Sequence, residues 1–132
     1  IEEILRHTDN TGLRIHTIEA LGYIGDEQSC SILMGFLNDD DFRVRLKAVN
    51  AMGQIASACS LPSIEKMLED NNWWVRRNAA EAMYWHSLPG RERLEELAES
   101  GDTPAAGSAR MIAEEIRNKR ERWRYRYTSH VS

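Results

Sequence analysis

Residues 42–56 read FRVRLKAVNAMGQIA, and the same pattern stands 31 residues earlier at 11–25 (TGLRIHTIEALGYIG) and 31 later at 73–87 (WWVRRNAAEAMYWHS), without a gap. A fixed period of this length decides the architecture before any local assignment, because each unit must be one supersecondary element that stacks on its neighbours. The columns are Leu13, Val44 and Val75; Arg14, Arg45 and Arg76; Ala20, Ala51 and Ala82; and Leu21, Met52 and Met83. One further step reaches Thr103, Pro104, Ala106 and Ala113, a degenerate fourth copy.

Each copy opens as a helix does. Asn10, Asp41, Asn72 and Thr103 share a column, and each side chain can accept a hydrogen bond from the free N–H groups of a first turn. Pro104 follows the fourth cap, at the helical position that best tolerates proline. Leu13, Thr17, Ala20, Leu21 and Ile24 then fall on one face of a 3.6-residue helix. Val44, Ala48, Ala51, Met52 and Ile55 repeat that face, as do Val75, Ala79, Ala82 and Met83. The spacing predicts helices of about 14 residues, about 21 Å long. Shorter apolar stretches at 1–7, 29–38, 61–69 and 91–99 supply antiparallel partners, bounded by Gly25 with Asp26, Ser60 with Pro62, and Pro89 with Gly90. No stretch shows sustained alternation of polar and apolar residues. The expected fold is all-α, an α-α superhelix of about four antiparallel helix pairs. It forms one domain over 1–120, with repeats at about 1–25, 26–58, 59–88 and 89–120, followed by a basic aromatic tail at 121–132.

The chain has 132 residues and a formal charge of −4, an average over two opposed parts. Residues 1–116 carry 11 basic and 20 acidic side chains, a net −9, whereas residues 117–132 carry 6 and 1, a net +5. An acidic body lacks the positive groove that phosphate neutralisation demands, so no nucleic acid is expected on the repeats. Cys30 and Cys59 are too few for a disulfide framework and read as small buried thiols of a reducing compartment, so the expected location is the cytoplasm. Neither an apolar run of about 18 residues nor a signal-peptide pattern is present. The sequence opens at Ile1 without a methionine. It therefore reads as a piece of a longer protein, and tethering to a membrane through a missing segment stays open.

The string at 39–55, DDDFRVRLKAVNAMGQI, resembles the HEAT repeat, above all the short HEAT-like type of phycobilisome lyases. An acidic turn, Val-Arg, two small or apolar positions and Ala-Leu-Gly make up that pattern, and copies start at Asp9, Asp39 and Asp70. The resemblance implies that the Val-Arg helices line the inner, concave surface of a superhelix. It also implies a ladder of acidic turns and arginines between repeats, which carried over would use Asp9, Asp40, Arg14, Arg45 and Arg76. Asn71 stands in the acidic column of the third copy and Gly107 in the arginine column of the fourth, which interrupts the ladder towards the C-terminus. Glu114 in the Met52 column and Arg117 in the Ile55 column fit the polar outer side that a terminal repeat requires. Ile1, Ile4, Leu5 and Leu13 leave the other end apolar, and with it the oligomeric state open.

With the Val-Arg helices inside, their solvent-facing offsets are His16, Lys47 and Asn78; Glu19, Asn50 and Glu81; and Tyr23, Gln54 and Trp85. These vary between copies while the core columns do not, which is how a solenoid presents a separate patch on each repeat. The expectation is a groove that grips another protein, against the plainer reading of an ordinary solvated face. Trp73 and Trp74 form a second candidate, an aromatic patch at the start of the third Val-Arg helix, since aromatics carry disproportionate interface energy. Of these two, Trp73 is expected to pack into the inter-repeat turn, as Phe42 would.

Catalytic and metal signals are poor. His7, His16, His86 and His130 are scattered, the two cysteines stand 29 apart, and no phosphate loop, nucleophile elbow or metal motif is present. His86 falls in the Ile24 and Ile55 column and reads as a helix-end residue rather than a ligand. Gly22 and Gly53 lie inside helices at a cost of about 1 kcal/mol each, which reads as close helix packing. In the tail, Arg122, Arg124 and Arg126 alternate with Trp123, Tyr125 and Tyr127, a pattern that suits anionic lipid or RNA. Its period of two carries no helical stripe, so a disordered end is expected. The chain as a whole is expected to be a non-enzymatic protein-interaction scaffold with no cofactor and no metal. The alternatives are a tetrapyrrole-lyase-like module, which rests on the resemblance alone, and a membrane-proximal regulatory domain using the tail.

Overall fold

The computed structural model describes residues 10–55 and 60–129; the expected helix at 1–7, with Asp9, Cys59 and His130, lies outside the described residues. Among the described residues seven α-helices follow one another: α1 (Thr11–Ile24), α2 (Glu27–Phe36), α3 (Phe42–Gln54), α4 (Ser60–Lys66) running into a 3-10 turn (Met67–Glu69), α5 (Trp73–His86), α6 (Leu88–Ala98) and α7 (Pro104–Ser129). No strand occurs among the described residues, and none of the described helices is long and apolar enough to cross a membrane. The odd-numbered helices are the Val-Arg helices, and the even-numbered ones are their partners.

All four residues of the capping column hold a helix start. Asn10 Oδ1 accepts from Leu13 N–H at 3.0 Å, Asp41 Oδ1 from Arg43 N–H at 2.9 Å, Asn72 Oδ1 from Trp74 N–H at 2.9 Å, and Thr103 Oγ1 from Ala106 N–H at 3.1 Å. Each satisfies a donor that the first turn would leave open, worth about 1 kcal/mol. α1 ends on Gly25, whose φ of 69° is the left-handed cap geometry that glycine reaches without strain. Asp26 then starts α2 by accepting from Ser29 N–H at 2.7 Å.

At Asp41 the Arg43 guanidinium, 2.7 Å away, and then the Arg43 N–H pull the carboxyl down to about 2. In the unfolded chain the same carboxyl titrates near pH 4. The folded chain therefore takes up this proton less readily, so the contribution of Asp41 is complete above about pH 4 and fades as pH falls towards about 2. Asp41→Asn keeps a capping side chain, like Asn10 and Asn72, and removes the titration. Its melting temperature should be little changed near neutral pH and should drop less than the wild type's between about pH 5 and about pH 2.5. Circular-dichroism melts with equal acid losses in both proteins would refute this assignment.

The core is a row of layers supplied by every helix, with Ile18, Leu33, Val44, Met52, Ile64, Leu68, Val75, Met83, Leu94 and Ile112 all fully buried. Along that row α1, α3 and α5 pack closely side by side, whereas α2, α4 and α6 meet chiefly the inner helices that flank them in sequence. The stack therefore bends towards its inner helices. Two glycines permit the close approach: a Cβ on Gly22 would sit 2.9 Å from Ala51 Cβ, and one on Gly53 would sit 2.9 Å from Ala82 Cβ. Tyr84 stands one period on in the glycine column. Correspondingly, α7 meets α5 over a shorter stretch and leans instead on α6 and the 3-10 turn.

Three expectations are corrected here. In α1, Ile24 is 63% exposed and Ala20 is exposed, although Ala51 and Ile55 in the same columns are buried, while Leu13, 46% exposed, belongs to the apolar end that the sequence leaves uncovered. In α3 this face meets the preceding repeat, as Ala51 meets Gly22. Cys30 is disulfide-bonded rather than a thiol, which removes the cysteine argument for a cytoplasmic location; the chain's other cysteine, Cys59, lies outside the described residues. Finally, α7 runs unbroken to Ser129, so the stretch from Arg122 onwards is helical as far as it is described, and not an irregular chain. Arg, Lys and Glu are good helix formers whatever their alternation, and the Glu115–Lys119 pair at 3.2 Å spans one turn at its middle.

Candidate functional site

The spacing of the inner helices is fixed by a ladder of ion pairs. Arg14 Nη1 donates to Asp39 Oδ2 at 3.1 Å, and Arg45 donates through Nε and Nη2 to the two carboxylate oxygens of Asp70 at 2.9 and 3.2 Å. Arg45 also donates to the carbonyl oxygens of Asp39 and Asp40 at 2.8 and 3.2 Å. The acidic column is thus Asp39 and Asp70, and Asp40 enters only through its carbonyl, which corrects the expected ladder. The reason is local: Asp39 Oδ1 accepts from Asp41 N–H, and Asp70 Oδ2 from Asn72 N–H, both at 2.9 Å. That turn orients the carboxylate two residues before the cap towards the arginine, while Asp40 is exposed. One period on, the column holds Gly101, and Arg76 ends the ladder on the Asp70 carbonyl at 2.9 Å.

On the inner side, α3 and α5 bound a groove of about 360 Å³ that brings together Asn50, Gln54, Asn78, Glu81 and Trp85 over the Gly53 and Ala82 crossing. Trp85 is 60% exposed and packs edge to face on Tyr84, with ring centroids 4.9 Å apart. The Arg91 guanidinium lies over the Tyr84 ring at 4.2 Å and 5.8 Å from the Trp85 ring, so a cation braces the aromatic pair. Asn78 Nδ2 donates to the Trp74 carbonyl at 2.7 Å, which anchors that side chain along the helix. Lys47 stands 3.6 Å from Glu19 and links the stripe from α3 to α1. His16 and Tyr23 are exposed on α1 and do not line this groove; Tyr23 is 91% exposed.

Trp73 and Trp74 pack edge to face with centroids 4.7 Å apart, and they are 43% and 54% exposed. Trp73 is therefore not tucked into the turn, and Phe42 is 38% exposed in the same way. Position 73 stands two residues, about 200° of helix, from the buried Val75.

Sequence reasoning passed over Arg77. It donates to Glu81 at 2.9 Å and to Glu115 at 2.6 Å, tying α5 to α7 where Tyr84 keeps them apart. The Arg77 guanidinium, with Lys119 second, holds the Glu115 carboxyl below its ordinary value. A signal was available, because Arg77 occupies the column of the aliphatic Ile15 and Leu46.

The two serine contacts of His86 read as structural. His86 Nε2 lies 2.6 Å from Ser60 Oγ, and its Nδ1 lies 2.9 Å from Ser87 Oγ. Ser60 is fully buried and its hydroxyl donates to the Ile55 carbonyl at 3.0 Å, so Nε2 is the donor to Ser60 and the serine is not poised to attack a substrate. The Ser60 contact fastens the end of α5 to the start of α4. Among the described residues no group of three His, Cys, Asp or Glu side chains could hold a metal ion.

The family model for HEAT repeats matches residues 1–84, more than half of the chain. The comparison with curated proteins gives no match. HEAT repeats generally serve as protein-interaction scaffolds and are typically non-enzymatic. A 31-residue period, capped helix pairs stacked in one row and a matching family model lead to one conclusion: the chain belongs to the HEAT-repeat family.

Proposed function

We propose that this chain is a non-enzymatic scaffold whose inner stripe, His16, Glu19 and Tyr23 with Lys47, Asn50 and Gln54 and with Asn78, Glu81 and Trp85, grips another protein. The observation that carries the reading is the groove between α3 and α5, where the 60% exposed Trp85 stands among Asn50, Gln54, Asn78 and Glu81. A large aromatic braced in place but left in water is the residue type that anchors interfaces, and amides beside it offer both donors and acceptors to a partner's backbone. The mechanism is rigid display. The Arg14–Asp39 and Arg45–Asp70 pairs and the glycine crossings hold the inner helices at set spacing, so little order need be imposed on binding. Trp74, which shares the helix face of Asn78, Glu81 and Trp85, extends this surface at the start of α5, with Trp73 packed edge to face beside it. The test is affinity capture by the whole chain beside a Tyr23→Ala, Glu81→Ala, Trp85→Ala triple variant. A protein held by the wild type should be lost by the variant while both melt alike; a partner held equally by both removes the stripe from consideration.

A further inference from the structure

One apolar stripe of the inner helices stands in water. Leu13, Thr17, Ala20 and Ile24 fall within about 60° of one another on α1, on the side turned away from Gly22 and therefore from α3. Leu13 and Ile24 are 46% and 63% exposed and Ala20 is exposed, whereas Val44, Ala48, Ala51 and Ile55 in the same columns of α3 are buried. In α3 and α5 this stripe is the contact with the neighbouring inner helix, since Ala51 packs on Gly22 and Ala82 on Gly53. α1 thus carries an open copy of an interface that the row uses twice. No charged side chain stands in the stripe, and the Thr17 hydroxyl donates to the Leu13 carbonyl at 2.9 Å, so its hydrogen is already engaged within the helix.

Two features select the occupant. The stripe is complementary to itself: turned end for end about a point between residues 18 and 19, position 13 falls opposite 24 and position 17 opposite 20. Two α1 helices laid antiparallel about a two-fold axis therefore set Leu13 against Ile24 at both ends and the small Thr17 and Ala20 against each other in the middle, where the backbones can approach as they do at Gly22 and Ala51. The far end of the row is charged instead, with Glu114 and Arg117 exposed in the columns of Met52 and Ile55. A head-to-tail stack would put the apolar stripe on those charges, whereas a two-fold pair buries it on itself and closes. We infer that two copies of this chain pair through α1, antiparallel, with Leu13 of one against Ile24 of the other. One helix of 14 residues from each copy makes a small interface. The pair is accordingly reversible, half formed at roughly 10 to 100 µM.

The experiment is sedimentation equilibrium of the whole chain from about 2 to about 300 µM, over which the average mass should climb from one chain towards two. Leu13→Glu and Ile24→Lys, each alone, should weaken pairing about tenfold or more, because each sets a charge against an apolar side chain of the other copy. Both positions are exposed, and each new charge suits the dipole at its end of α1, so dilute samples should melt like the wild type. Combined, the two substitutions should restore pairing to within about threefold of the wild type, since each carboxylate then meets the other copy's ammonium. Within one chain the two positions are about 16 Å apart along the helix, too far to pair. Met34→Glu, exposed on α2, should change nothing. A wild type still single at about 300 µM overturns the inference and leaves the stripe to some other segment. A combined variant as weak as the single ones overturns it too, as does a mass that climbs past two chains.

Discussion

Arg45→Ala should lower the stability of the chain by about 3 kcal/mol, a fall of roughly 10 °C in melting temperature for a chain of this size. The Arg45 and Asp70 side chains are only 12% and 9% exposed, and the guanidinium engages both carboxylate oxygens of Asp70 as well as two carbonyls of the preceding turn. Deleting it leaves a carboxylate out of reach of bulk water without its counter-charge, which costs more than the bond itself is worth. Arg45→Lys should recover only part of the loss, because an ammonium cannot reproduce the two-pronged contact. Arg76→Ala supplies the comparison. That arginine closes the ladder on a single backbone carbonyl, so its removal should cost about 1 kcal/mol. Equal losses at Arg45 and Arg76 in denaturant melts would show that the inter-repeat carboxylate is not what matters.

A second large effect is expected at the crossing of α3 and α5. Gly53→Tyr puts a ring where even a Cβ would stand 2.9 Å from Ala82 Cβ, so the helices must separate. The expected cost is about 3 kcal/mol. Tyr84, one period on, shows what the separated state looks like: α7 shifts its weight to α6, and Arg77–Glu115 bridges the gap. Gly53→Ala should be milder but still destabilising, since Ala82 Cβ is fixed to its backbone and the helices must part slightly, against about 1 kcal/mol of helix propensity regained. A melt for Gly53→Tyr within about 0.5 kcal/mol of the wild type would mean that the inner helices are not held by close approach at this point.

The architecture was legible because a 31-residue period repeats both its signals and its exceptions. Caps at Asn10, Asp41, Asn72 and Thr103 are local chemistry, readable one helix at a time. Choosing between Asp39 and Asp40 was not, since three consecutive aspartates offer three registers, and only the turn geometry decides which one points at the arginine. Burial in α1 was misread for a related reason: Ala20 and Ile24 have the pattern of core residues, but burial depends on what stands beside them. The consequence of Tyr84 could have been read from the sequence, as a large residue in a glycine column, although its effect on α7 is a property of two helices together. At the candidate site, the offsets named the stripe, while the groove that gathers Asn50, Gln54, Asn78, Glu81 and Trp85 required the α3–α5 spacing. The tail was misjudged because period two was read as an irregular chain, whereas on a helix it separates into faces.

The central claim is that the inner stripe, and not the outer helices, is the surface that binds. It is tested most directly by titrating a captured partner against three proteins in a calorimeter: the wild type, the Tyr23→Ala, Glu81→Ala, Trp85→Ala variant, and a control with Gln28→Ala, Met34→Ala and Glu92→Ala, which are exposed on α2 and α6. The stripe variant should bind about 100-fold more weakly or worse, as loss of anchoring aromatics implies, and the control should bind like the wild type. An affinity unchanged in the stripe variant, or lost equally in the control, would contradict a binding surface on the inner helices.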